Sequence, residues 1–198
     1  MFTITFLDLS AGMGLCATGL LTLNILIGMV LSTAYKRSVY WKKLPPKLRE
    51  ISMDDLHNWT AYLALFFVCL HPLFLLLDSG NQFSFRDIFW PLQAPKQPNM
   101  VLLGTLSFYA LLIVIISSQK IIKQNISFRF WKNIHLISYG TALLFLIHGL
   151  QMDPELKDRP TDYLDAEKFF SEACILIVLI ASFIRYRYHL QSQNKNRK

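Results

Sequence analysis

Four of the chain's five histidines fall into two pairs of nearly equal spacing. His57 and His71 stand fourteen residues apart in one long apolar stretch, and His135 and His148 stand thirteen apart in another. Imidazole both titrates near neutrality and ligates transition metals, so histidines in apolar sequence admit three readings. They are ligands of a metal centre, members of a proton relay, or hydrogen-bonded links between helices. Ionisable groups at membrane depth are costly and more often functional than not, and two matched pairs weigh more than one isolated residue. His189 stands in a polar tail and is assigned no role.

The elements that must position these residues are legible from composition. The chain is 53% hydrophobic with 17% charged residues, and its mean hydropathy is +0.34. That is too apolar for a soluble domain of 198 residues. Five stretches, at about 10–34, 56–77, 99–118, 131–150 and 169–185, are long enough to cross a hydrocarbon layer of ~30 Å as helices. No strand-like alternation competes. The expectation is an all-α integral membrane bundle of about five transmembrane helices over residues 1–187, followed by a disordered polar tail over 188–198. The first stretch reads as a membrane helix and not as a cleaved signal: it lacks a basic leader and carries Asp8. Its Gly12, Gly14, Gly19 and Gly28 offer small faces for a neighbouring helix or a cofactor.

Loop charge sets the orientation. Lys36, Arg37, Lys42, Lys43, Lys47 and Arg49 fill the first loop; Lys120, Lys123, Arg129 and Lys132 mark the third; the tail is basic as well. The fourth loop is acidic, with Asp153, Glu155, Asp158, Asp162, Asp165 and Glu167. The positive-inside rule then places the amino terminus outside and the carboxyl terminus in the cytoplasm of a bacterial cytoplasmic (inner) membrane. The net charge of +7 resides in these flanks and not in a basic stripe interleaved with aromatics, which excludes nucleic acid as a partner and leaves membrane lipid. The second loop, rich in aromatics and proline from Phe83 to Pro98, reads as a cap on the outer end of the bundle or as a lid over an acceptor. Cys16, Cys69 and Cys174 form no CxxC or CxxCH motif and read as buried small hydrophobes.

Under this topology the second and fourth spans are parallel. At 1.5 Å per residue the spacings are rises of about 21 Å and about 19.5 Å, so His57 meets His135 near the inner surface and His71 meets His148 near the outer one. Two imidazoles at one level suit the axial positions of a heme iron, whereas zinc or copper wants three or four ligands gathered at a point. At 100° per residue, fourteen steps return to within about 40° of one face and thirteen land about 140° away, so the fourth span needs local distortion near Gly140 and Thr141 or differently rotated heme planes. A transporter or proton relay would also need intramembrane carboxylates, and Asp8, Asp78 and Glu172 lie only at span edges. A purely structural subunit is the third alternative.

The stretches LHNWTAYLALFFVCLH and FRFWKNIHLISYGTALLFLIHG resemble the two ligand helices of the transmembrane domain shared by ferric reductases and NADPH oxidases. The likeness runs from the first helix to Arg187, and the chain is also similar to the heme-bearing membrane subunit that feeds a periplasmic methionine sulfoxide reductase. The resemblance implies two b-type hemes per chain, an inner one on His57 and His135 and an outer one on His71 and His148. It implies one span fewer than the six-helix family core. It also implies a separate flavoprotein or other donor, since neither a flavin barrel nor a GxGxxG module follows Arg187. The acceptor would be a ferric chelate, oxygen or a partner reductase. Arg129 and Lys132, with Lys36 and Arg37, would pair with inner heme propionates or serve as interface anchors. Phe66 and Phe67 would pack between the hemes or simply in the bundle, and Pro72 would re-aim His71.

Overall fold

The computed structural model describes residues 5–78, 80, 82–152 and 166–196, with Ala166 and the last six of these by backbone alone. Five long helices carry the architecture: α1 (Phe6–Leu31), α2 (Met53–Leu77), α3 (Pro98–Ser118), α4 (Phe128–Gln151) and α5 (Ala166–Asn196). Each contains a segment long and apolar enough to cross a membrane, and no strand occurs among the described residues. The chain is an integral membrane protein with an all-α bundle fold.

Caps decide where the helices begin. Thr5 and Asp8 close a capping box on α1, Ser52 caps α2 through the Asp55 N–H, Pro98 occupies the first turn of α3, and Ser127 caps α4 through the Phe130 N–H. These polar residues precede the apolar runs, which is why α1, α2 and α4 start three or four residues before hydropathy alone places them. α1 stops at Leu31 instead of residue 34: Ser32 and Thr33 turn their hydroxyls back onto the carbonyls of Met29 and Val30, both at 2.7 Å. The expected disordered tail is instead a continuation of α5 to Asn196; no glycine or proline follows Pro160 to end the helix.

The bundle is two antiparallel hairpins with a fifth helix against them. α1 packs along α2 and α3 along α4, while α5 lies on α1 and α4. The first hairpin closes tightly because Ala17 on α1 and Ala64 on α2 are both almost fully buried, letting the backbones approach. α2 and α4, the two histidine-bearing helices, barely touch. A cleft is left between them. Around the outside, Phe66, Leu143, Ile180 and Phe183 are each more than half exposed, the apolar belt expected of a lipid-facing surface.

The second loop caps one end. Phe83 is buried with Leu75, Ala94 and Val101, and α3 holds the loop by Thr105 Oγ1 donating to the Ile88 carbonyl at 2.8 Å and Tyr109 O–H donating to that of Phe89 at 2.9 Å. At the opposite, basic end, Arg185 of α5 donates to the Ser32 carbonyl at 2.9 Å. The acidic run from Asp153 to Asp165 lies outside the described residues. Cys174 is buried as expected, but Cys16 and Cys69 are exposed; their place in apolar sequence reflects lipid-facing positions as much as core.

Overfilling the α1–α2 contact should separate the first hairpin. Ala64→Leu is expected to cost about 1–3 kcal/mol, read as an earlier thermal unfolding transition in detergent. Phe66→Leu, on the exposed face of the same helix, should leave the transition where it is.

Candidate functional site

α2 and α4 present their histidines to each other at two levels. The rings of His57 and His135 have centroids 6.1 Å apart with planes at 61°. Those of His71 and His148 also stand 6.1 Å apart, with planes at 84°. Both pairs inferred from spacing are therefore brought together, and α2 and α4 run parallel. The phase difference on α4 is absorbed without breaking the helix, which continues through Gly140. Thr141 donates its hydroxyl back to the Ile137 carbonyl at 3.1 Å, a bond that bends helices, and it lies between the two histidines.

The neighbouring helices fix the rings. His71 Nδ1 lies 2.8 Å from the Ser10 carbonyl oxygen, His57 Nδ1 lies 3.1 Å from that of Asn24, and His148 Nδ1 lies 2.7 Å from that of Met100. A carbonyl only accepts, so each Nδ1 carries the proton and each Nε2 keeps a free lone pair. This is the tautomer a metal requires of a histidine that binds through Nε2. His135 differs, with its Nδ1 3.4 Å from the Ser118 hydroxyl. The α1 contacts are reciprocal. The Ser10 hydroxyl donates to the His71 carbonyl at 2.8 Å, and the Asn24 amide donates to the His57 carbonyl at 2.6 Å and to Thr60 Oγ1 at 2.8 Å.

Glycine makes these bonds reachable. A helical carbonyl already accepts the N–H four residues on, and its remaining lone pair is flanked by the side chain at that later position. Four residues after Ser10, Asn24 and Met100 stand Gly14, Gly28 and Gly104. A Cβ on Gly14 would come within 3.2 Å of His71 Nδ1, one on Gly28 within 3.2 Å of His57 Cε1, and one on Gly104 within 2.9 Å of His148 Cε1. Gly14 and Gly28 are fourteen residues apart, like the histidines they face.

The capped end also holds a cavity of about 320 Å³ bounded by Ser10, Gly14, His71, Gly104 and His148, within the ~300–1,000 Å³ of pockets that take an organic ligand. At the basic end the Trp131 ring stacks on His135 at 5.0 Å and 24°, with Lys123 Nζ 4.0 Å from the indole centroid. The buried Trp131 Nε1–H has no partner among the described residues.

The sequence that builds this bundle matches a known family. The model for the ferric reductase like transmembrane component covers residues 13–146, about two thirds of the chain. The chain belongs to this family. Membership points to electron transfer across the membrane. The match takes in His57, His71, His135 and the three glycines and ends two residues before His148. No curated protein matches the chain, so the likeness to the methionine sulfoxide reductase subunit rests on its sequence features alone.

Ferric reductase-like domains generally bind heme, and the residues here fit that group. Bonds of about 2 Å from two facing Nε2 atoms to one iron, with roughly 1 Å more from each nitrogen to its ring centre, put the centroids about 6 Å apart. Both pairs meet that spacing. No cluster of three or more metal-binding side chains occurs among the described residues. The unpartnered indole N–H beside His135 suits an acceptor brought by a cofactor carboxylate. Arg129 and Lys132 lie exposed on the first turns of α4. Phe67 packs in the core beside Ala64 and Val68, whereas Phe66 is 54% exposed. Sequence reasoning missed Ser10, Asn24, Met100 and Trp131. The matched spacing of Gly14 and Gly28 was the signal that could have found the first two.

Gly104→Val should push the His148 ring from the Met100 carbonyl and weaken porphyrin binding at that level about 10–100-fold, read as loss of half the bound heme on dilution. Gly12→Ala, where an added Cβ meets nothing within 4 Å, should keep the full complement.

Proposed function

We propose that the chain is a transmembrane di-heme b-type cytochrome, the electron-transfer membrane component of a ferric reductase-like oxidoreductase. His57 and His135 ligate the inner heme iron, and His71 and His148 ligate the outer one. The observation that carries this reading is the pair of facing rings at each level, with three of the four Nδ1 protons committed to carbonyls. When bound, the hemes supply two one-electron sites, so that electrons pass from a cytoplasmic-side donor to an acceptor on the outer side.

The chain's own work is to hold, orient and insulate. α1 and α3 set the imidazoles, whose fourteen-residue separation on α2 corresponds to about 21 Å of helix and so distributes two stations over a ~30 Å hydrocarbon layer. The apolar cavity wall at the capped end keeps water from the outer station. Arg129 and Lys132 face the cytoplasm, where they serve inner heme carboxylates or the headgroup layer. The donor is a separate flavoprotein or another cytoplasmic-side reductant. The acceptor is a ferric chelate, oxygen or a partner reductase. The bundle over residues 1–187 sits in a bacterial cytoplasmic membrane, with the amino terminus outside and residues 188–198 in the cytoplasm.

Purified protein should show b-type absorption bands that sharpen on dithionite reduction, with two hemes per chain by pyridine hemochrome. His71→Ala or His148→Ala should each lower that to one. A preparation that stays colourless after heme supplementation contradicts the reading.

A further inference from the structure

The cavity at the capped end is lined mostly by aliphatic and aromatic side chains, and one cation reaches it among the described residues. Lys168 stands in the first turn of α5 and is 8% exposed. It makes no hydrogen bond or ion pair within the described structure. Of the other ionisable groups on the wall, His71 Nδ1 is held by Ser10 and His148 Nδ1 by Met100, and Glu167 has an interaction of its own and lines the cavity as well. One turn along α5, the Ser171 hydroxyl is turned back onto the Glu167 carbonyl at 3.2 Å and is not spent on the ammonium. An ammonium in an apolar wall gains most from an anion held close to it, because water there is scarce. A carboxylate carried into the cavity by an organic ligand would be such an anion.

We propose that Lys168 is the carboxylate-binding residue of this cavity, pairing with a propionate of the porphyrin whose iron His71 and His148 clasp. The inference rests on the di-heme reading and goes beyond it by naming the side chain that fixes the porphyrin's orientation about the axis between the two histidines. The axial ligands alone leave that rotation free. A charge-assisted bond from an ammonium in an apolar wall to a propionate locks it. The same bond ties α5, which carries no histidine ligand, to the outer level. Lys168 is thus a binding residue for the prosthetic group and takes no part in ligating its iron.

The test uses the full-length purified protein and follows transfer of heme to excess apomyoglobin. The wild-type chain should release its two hemes in separate phases. Lys168→Met should speed the outer phase about tenfold, which is about 1.4 kcal/mol, and leave the inner phase unchanged, which also reports an intact bundle. Lys168→Arg should behave like the wild type. With heme dimethyl ester, whose propionates are uncharged, the wild type and Lys168→Met should release the outer porphyrin at the same rate. Equal rates with native heme overturn the proposal while leaving the di-heme reading in place. A Lys168→Met effect that persists with the ester also overturns it, since the carboxylate would then come from elsewhere. A wild-type chain that takes up no heme overturns the di-heme reading itself.

Discussion

An imidazole that is to ligate a metal through Nε2 must hand its Nδ1 proton to an acceptor, and inside a membrane the nearest acceptors are the carbonyls of neighbouring helices. Those carbonyls already serve their own helix, so a second donor reaches them only where the flanking side chain has been removed. Ser10 with Gly14, Asn24 with Gly28, and Met100 with Gly104 meet that condition. The requirement fixes the register of α1 against α2 and of α3 against α4, and it explains why the chain folds as two tight hairpins. Because each hairpin satisfies its own histidines, α2 and α4 do not need to pack on each other, and their rings face each other across the cleft.

The two levels are not equivalent. At the capped end both Nδ1 atoms bond carbonyls at 2.7 and 2.8 Å, and the loop carrying Phe83 and Ile88 closes over a cavity. At the basic end one bond is 3.1 Å, and the other partner is a hydroxyl at 3.4 Å; Trp131 and Lys123 shield His135 instead. Stronger hydrogen bonding at Nδ1 raises the basicity of the ligating nitrogen. On the proposed di-heme reading, this difference would give two sites with the same ligand types different affinities and potentials.

The sequence carried much of this. Five apolar stretches gave the helix count, and the parallel run of the second and fourth spans gave the pairing of His57 with His135 and of His71 with His148. Helix ends were misjudged wherever a cap lay outside the apolar run, as at Thr5, Ser52 and Ser127, because hydropathy does not register capping. The tail was misread because polarity was taken for disorder in a segment that lacks any helix breaker. Residues that act through their backbone, such as Met100, leave no chemical mark in a sequence. Trp131 and Lys168 were passed over for a different reason: an aromatic or a lysine at a span edge is ordinarily an interface anchor, and only the unpartnered buried N–H of Trp131 and the place of Lys168 in a cavity wall set these two apart.

Low-temperature electron paramagnetic resonance of the oxidised, heme-loaded protein tests the facing-imidazole geometry most directly. With ring planes crossed at 61° and 84°, the account predicts two low-spin ferric signals of the highly anisotropic kind that crossed axial imidazoles produce. A high-spin signal as the main species, or a single low-spin centre at full heme loading, would contradict it.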